Sequence, residues 1–268
     1  MGRRVVITDV TRMAGERVCV AGYTRKGGQP EFCVRPLFRY GDLTEQWLYA
    51  RSGVIRPFAV VEFDLLTHKP GMPHSEDWLI EPRLRIVQEL LSPEERLAFL
   101  QAIEDAAVRE VFGTEVYHDE GWYVRQGHGT RSLGTIRASS VDEVIYRYSQ
   151  WSDSGKWAYR IAFRDDEGDA YRLTVTDLAF RLYLDSLRDN GASPASVAWS
   201  VRDTLNSADQ VYLRIGLARG WEKFPDRCHL QVTGVYSFPD YLDGKCFADL
   251  KPFGDDPYRT AGPVDVPF

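Results

Sequence analysis

The sequence predicts a mainly β protein with added helices, an α+β chain built from two tandem five-stranded barrels. Two observations support this fold class. Five short segments rich in β-branched and aromatic residues precede a helix signal at residue 92, and a second set of five follows residue 130. Turn signals separate the segments in both halves, as at 26–28 and 165–168, where glycine and charged residues cluster.

Composition narrows the possible functions. The chain has 268 residues, of which 44% are hydrophobic and 13% aromatic, enough to bury a proper core. Its net charge of −6 argues against a uniformly basic coat for nucleic acid, so any such surface must be local. No apolar run is long enough to span a membrane, and the first residues do not match a signal peptide. We therefore expect a cytoplasmic protein with no membrane partner.

The first barrel is predicted from five strands and one insertion. The strands are expected at 3–8, 17–24, 31–36, 57–66 and 78–88. A short helical piece is expected at 42–50, between the third and fourth strands. Five short strands with an insertion after the third have the order of an OB-fold barrel. Residues 1–90 are assigned to this first OB-like barrel.

A helix is predicted directly after the first barrel. The segment 92–95, Ser-Pro-Glu-Glu, has the residues of a capping box with proline in the first turn. Apolar residues then recur at helical spacing from Leu97 to Val111, and Gly113 ends the run. A loop rich in glycine and aromatic residues is expected to follow. Residues 91–130 are therefore assigned to a helix and a connecting loop.

The second half repeats the order of the first. Its strands are expected at 141–148, 156–164, 170–176, 211–217 and 228–236. Two helices, at 177–187 and 193–205, are expected between the third and fourth strands. We assign 131–240 to a second OB-like barrel with a helical insertion. Residues 241–268 are predicted to form a Pro-rich tail without regular structure.

Four segments resemble the prokaryotic family of dual OB-domain proteins. They are RVCVAGYTRKGGQPEFCVRP, TRSLGTIRAS, YRIAFRDDEGDAYRLTVTDLAFR and VYLRIGLARGWEKFPDRCHLQVTGVYSFPDYL. The resemblance implies tandem OB folds, in agreement with the strand count. It implies less about function, because OB barrels bind single-stranded nucleic acid or oligosaccharide and a fold does not establish a function.

Alternation along the second barrel predicts a basic outer face. Aromatic and aliphatic residues occupy every second position of its second and third strands and must form the core. The opposite positions carry Lys156, Arg160, Arg164 and Arg172. In the fourth strand, Tyr212 and Arg214 occupy the polar-compatible positions. Such a face suits phosphate contacts and base stacking by a single strand. The alternative is a solvated face whose charges pair with the acidic turn at 165–167.

Two other stretches are candidates for nucleic-acid contacts. Arg35, Arg39 and Trp47 belong to a basic and aromatic stretch after the third strand, which could line a groove between the barrels. The alternative there is a helix-containing loop with a buried tryptophan. Arg131 lies in a Gly-rich loop at 127–132 that could cradle a phosphate, and the alternative is an inter-domain linker.

Catalytic patterns are missing from the sequence. It has no G-x-S-x-G, H-E-x-x-H or C-x-x-C motif, and His118 and His128 alone are weak evidence for a metal. We predict no catalytic residue, no metal and no cofactor. The sequence therefore predicts a non-catalytic nucleic-acid-binding module. The alternative is a protein-interaction or adaptor subunit of a prokaryotic genome-maintenance or defence complex.

Overall fold

The computed structural model describes residues 2–13, 15–48, 55–149 and 156–250. The first five strands are β1 (Arg3–Arg12), β2 (Val18–Lys26), β3 (Gln29–Phe38), β4 (Ala59–His68) and β5 (Asp77–Leu90). They pair in the order β1-β2-β3-β5-β4 and close into a barrel. A short 3-10 turn at Glu45–Leu48 lies between β3 and β4. The predicted strand order of the first barrel is confirmed.

The connecting region differs from its prediction. The capping box is present at Ser92 and Glu95, but the helix α1 (Pro93–Ala102) ends well before residue 111. It is followed by the short strand β6 (Glu104–Asp105), a 3-10 turn at Val108–Glu110, and the hairpin of β7 (Tyr117–His118) and β8 (Trp122–Arg125). The helical spacing is misleading in this segment. Val108 and Val111 are buried although they lie at a short 3-10 turn beyond the end of α1. The predicted loop therefore contains a hairpin.

The second barrel is built from β9 (Leu133–Ser149), β10 (Lys156–Asp165), β11 (Ala170–Val175), β12 (Gln210–Leu217) and β13 (Arg227–Phe238). The helices α2 (Leu178–Asp189) and α3 (Pro194–Asn206) lie between β11 and β12. The pairings β9–β10, β10–β11, β11–β13, β13–β12 and β12–β9 connect in a ring, with β11–β13 parallel. In the first barrel β3–β5 is the parallel pair, so both halves have the same strand order.

The tail after the second barrel is partly ordered. A helix, α4 (Phe247–Leu250), follows β13, and Phe247 is fully buried among first-barrel core residues and Leu178 and Leu182 of α2. The prediction of an irregular tail is therefore wrong for this part. Residues 251–268 lie outside the described residues. None of the helices in the described ranges is long and apolar enough to cross a membrane.

Each barrel has its own core, and a third apolar cluster joins them. The joining cluster contains Val6 and Tyr23 of the first barrel, Phe99 and Leu100 of α1, and Tyr212 of β12. Because this cluster is buried, it stabilises the contact between the barrels through the hydrophobic effect.

Candidate functional site

The outer side of the second and third strands lies in different surroundings in the two barrels. OB barrels usually bind ligands on the outer side of their second and third strands. In the first barrel this side carries Tyr23, Cys33 and Arg35, and the second barrel and α1 cover it. In the second barrel the corresponding side, on β10 and β11, carries exposed Arg160 and Arg172. Only the second barrel therefore keeps its usual ligand face open.

Arg214 lies in the contact between the barrels, and its predicted place on an exposed face is wrong. Its side chain is fully buried, and Nε donates to Asp9 Oδ2 of β1 at 3.1 Å. Nη1 donates to Thr135 Oγ1 at 2.8 Å. Thr233 Oγ1 in turn donates to Asp9 Oδ1 at 2.5 Å. A buried guanidinium with these partners holds the barrels together and has no surface for a ligand.

Tyr212 is also buried, so it is not the exposed stacking residue that the sequence predicts. It belongs to the cluster that joins the barrels, and only 1% of it is exposed. Its hydroxyl is within hydrogen-bond distance of Glu104 Oε2, at 3.2 Å, and of Gln210 Oε1, at 3.0 Å. Strand alternation could not reveal this burial because the covering surface comes from the other barrel.

Arg35 forms a second polar link between the barrels. Its guanidinium donates to Asp77 Oδ1 at 2.8 Å, to Glu76 Oε2 at 3.3 Å and to Ser132 Oγ at 2.7 Å. Burial, together with the charge of Arg35, lowers the pKa of His74 to about 3. A neutral His74 accepts a hydrogen bond from Arg35 at Nδ1. Arg35 lines the groove between the barrels, one of the two alternatives that the sequence leaves open, and its donors are already engaged.

The remaining candidates are Arg131, Arg39, Trp47 and Lys156. Arg131 donates to Asp105 and to the carbonyl of Val111, so it fixes the segment before β9. Arg39 is exposed directly after β3. The side chains of Trp47 and Lys156 lie outside the described residues, although their backbones belong to the 3-10 turn and to β10. Nucleic-acid contacts of these four residues stay a prediction.

The outward side chains of β9, β10 and β11 form what we call the basic face. They include Arg147, Ala158, Arg160, Ala162, Arg164 and Arg172, together with Glu143 and Ile145 of β9 and Thr174 of β11. Arg147 lies opposite Ala158, and Arg160 lies opposite Ile145 two residues along, so the two arginines are diagonal neighbours about 7–8 Å apart at the backbone. Both are exposed, and among the side chains that the structure describes neither has a carboxylate partner.

Arg147 is missing from the residues that the sequence predicts for this face. It lies in the segment VIYRY, whose alternation places Val144 and Tyr146 in the core. The signal that identifies it is this alternation in β9. Pairing of β9 with β10 then sets Arg147 beside the predicted arginines.

The other two arginines of the basic face are paired, but not with the acidic turn that the sequence indicates. Arg164 Nε lies 3.4 Å from Asp142 Oδ2, and Arg172 Nη2 lies 2.9 Å from Glu143 Oε2, both on β9. The turn carboxylates have other partners. Asp165 is buried and accepts from two backbone N–H groups, Asp166 pairs with Arg137, and Glu167 pairs with Arg109.

A cleft lies at the edge of the basic face, beside the β7–β8 hairpin. It has a volume of about 530 Å³ and is lined by His118 and Trp122 of the hairpin and by Glu143, Tyr171 and Arg172 of the barrel. The Trp122 ring packs on Tyr171 with 4.8 Å between centroids, and exposed His118 packs on Trp122 at 4.4 Å. The hairpin thus adds aromatic rings at the edge of the basic face.

Metal-binding geometry is not found in the described ranges. No group of three or more His, Cys, Asp or Glu side chains there is arranged to hold an ion. His118 packs on Trp122, and His128 is exposed in the loop before β9. The four cysteines, all in the described part of the chain, are free thiols.

The fold defines a protein of two tandem OB barrels in which one ligand face is covered and the other open. The family described as "Dual OB-containing domain" matches residues 3–235, and the chain belongs to that family. No curated protein matches the chain in sequence. A solved chain described as "Structure of murine DNA binding protein bound with ds DNA" aligns with 88% of this chain and 96% of its own length. The identity is 9% and the TM-score 0.29, so this similarity carries no functional argument.

Proposed function

We propose that the protein binds single-stranded nucleic acid through the basic face of the second barrel, without catalysing a reaction. The observation that supports this most is the pair Arg147 and Arg160, exposed and without a described carboxylate partner on the open OB face. Guanidinium groups bind phosphate through paired donors, so two neighbouring arginines provide anchors for successive phosphates.

The basic face also has space for a backbone to approach. Ala158 and Ala162 flank Arg160 on the outward side of β10, so no large side chain separates Arg160 from Arg164 along this strand. Arg164 and Arg172 extend the row toward β11. Their carboxylate partners are about half exposed, and exposed ion pairs are worth roughly 0–1 kcal/mol, so a phosphate can replace the carboxylate at small cost.

The cleft beside the hairpin supports a single strand over a duplex. Rings of His118 and Trp122 border it, and an unpaired base can stack on such rings for about 1–3 kcal/mol. Bases in a duplex are already stacked and cannot enter. The strand would therefore lie with its phosphates on the arginines and one base in the cleft.

Binding of a fluorescent oligo-dT by the full chain, measured by anisotropy over a range of salt concentrations, tests the proposal. Four phosphate contacts give a slope of about −3 in a plot of log K against log salt. Arg147→Glu combined with Arg160→Glu removes two contacts, so we expect at least a tenfold loss of affinity and a slope reduced to about half.

The matched control is Lys26→Glu combined with Lys69→Glu, which changes the net charge equally on exposed residues of the first barrel. We expect this variant to keep the wild-type slope and to lose little affinity. Equal losses of affinity in the two double variants would mean that only net charge matters, and would contradict the assignment of the binding site to the basic face. Absence of binding by the wild-type chain at low salt would refute the function itself.

A further inference from the structure

A groove separates the two barrels, and none of the arginines of the basic face lines it. Its volume is about 1040 Å³. The first barrel contributes the end of β1, the start of β2, the end of β3 and the segment after it, and the second barrel contributes the β12–β13 loop. A volume of this size is ample for a ligand of several residues.

The floor of the groove lies where two strands of the first barrel diverge. The pairing of β2 with β3 runs from Lys26 and Gln29 to Gly22 and Val34. Beyond this point, residues 18–21 pair with β1 and residues 35–38 pair with β5, and the backbone N–H of Val18 donates to the carbonyl of Leu43. The edges of β2 and β3 that face each other across the gap therefore lack each other as partners. Such edges bind extended polypeptides by β-strand addition.

The charges around the groove have a consistent arrangement. Three arginines at its rim, Arg12, Arg17 and Arg219, have side chains 39–52% exposed. Two of their carboxylate partners, Glu45 and Asp77, are almost fully buried beneath them. The ion pairs of Arg12 and Arg17 are long, at 3.8 and 3.6 Å. An approaching ligand thus meets guanidinium groups first, and their positive charge attracts its carboxylates.

The walls of the groove are largely apolar. They include Val18, Leu37, Leu43, Leu133 and Leu217, and Trp221 stands at the rim with 54% of its surface exposed. Trp221 is held by paired backbone hydrogen bonds with Phe224 and by an edge contact between their rings at 5.7 Å. A fixed, exposed tryptophan beside an apolar groove has the features of an anchor in protein interfaces.

We propose that this groove binds an extended segment of a partner protein that carries apolar residues with acidic residues beside them. The segment lies in extended form in the gap between β2 and β3, places alternate apolar side chains against the leucine walls, and offers carboxylates to the rim arginines. The proposal is independent of nucleic-acid binding by the basic face, because it uses different residues and different chemistry.

The composition of the groove favours a polypeptide over a nucleic acid. Sequence-independent binding of a single strand needs several aromatic rings in series, and the lining has one strongly exposed ring, Trp221. Leucine walls match the aliphatic side chains of a polypeptide.

Selection from a phage-displayed library of linear peptides about ten residues long, the length of a long strand, tests the proposal on the full chain. We expect enriched sequences to alternate apolar and other residues and to contain Asp or Glu. A synthetic copy of the enriched peptide is then titrated by fluorescence anisotropy. Trp221→Ala combined with Arg219→Ser should weaken its binding at least tenfold, and N-methylation of alternate peptide nitrogens should weaken it similarly.

The control is Trp199→Ala combined with Arg4→Ser, which removes an equally exposed tryptophan and arginine elsewhere. It should bind the peptide as the wild type does. The groove variant should keep the wild-type affinity for oligo-dT, which shows that it is folded. Failure to enrich any sequence, or equal peptide binding by groove and control variants, overturns the proposal. Displacement of the peptide by oligo-dT overturns it in favour of a nucleic-acid groove.

Discussion

The outer side of the second and third strands is covered in the first barrel and open in the second. On the first barrel the outer side of β2 and β3 is covered, and its arginine, Arg35, is saturated by buried Asp77 and Glu76 and by Ser132 across the contact. On the second barrel the outer side of β10 and β11 is open, and Arg160 has no described carboxylate partner. Whether an arginine on such a strand forms buried contacts or stays exposed to a ligand therefore depends on what the other half of the chain packs over it.

The largest expected effect comes from breaking the covered contact. In Asp9→Ala, Arg214 stays buried without its carboxylate, and removing one partner of a buried ion pair costs about 3–5 kcal/mol. We expect a loss of this size in the free energy of unfolding, measured by urea denaturation.

The double variant Asp9→Leu with Arg214→Met separates charge from packing. Replacing both charges with apolar residues of similar size should recover most of the lost stability. If the single and double variants were equally unstable, the contact would depend on shape and not on the ion pair.

The next largest effect is a pH dependence of the free energy of unfolding, which arises at the contact between the barrels. Asp177 caps α2, accepts from the backbone N–H of Val235, and bridges to Thr11 of the first barrel. Burial raises the pKa of Asp177 to about 7, above the unfolded value of about 3.9. The stabilising contribution of protonated Asp177 is therefore complete below about pH 4 and is lost as the pH rises to about 7.

Asp177→Asn removes this titration while keeping an oxygen acceptor for α2. The free energy of unfolding of the wild type should fall with rising pH, relative to that of the variant, by up to about 1.4 kcal/mol per pH unit between pH 4 and 7. Parallel stability curves for the two proteins would show that Asp177 is ionised throughout.

The smallest expected effect is a gain in affinity for oligo-dT at the basic face. Glu143→Gln removes the exposed carboxylate that holds Arg172, so this arginine becomes available to phosphate. An exposed ion pair is worth up to about 1 kcal/mol, so we expect oligo-dT to bind about two- to fivefold more tightly, with a steeper salt dependence. Unchanged or weaker anisotropy titrations would place the strand away from Arg172.

Much of the fold could be predicted because it follows from local patterns. Burial in β11 alternates at every residue, as the sequence AYRLTV indicates, and the capping box of α1 begins at Ser92 as predicted. The exposure of Arg160, Arg164 and Arg172 follows from the same alternation. These features depend on neighbours a few residues away in the chain.

The features that could not be predicted depend on distant contacts. Arg214 and Tyr212 alternate like surface residues, and only the partner barrel, around Asp9 and Tyr23, explains their burial. Glu143 pairs with Arg172 because β10 brings their strands together, across 29 positions in the chain. The β7–β8 hairpin has strands of two and four residues, too short to show an alternating pattern.

The buried links between the barrels determine whether the chain can be dissected. A cut near residue 130 would leave Asp9 and Arg35 in one fragment and Arg214 and Ser132 in the other. Each fragment would then expose the apolar cluster around Tyr23 or Tyr212 together with groups whose partners are gone. The two halves repeat one architecture, yet we expect neither to fold as a separate unit.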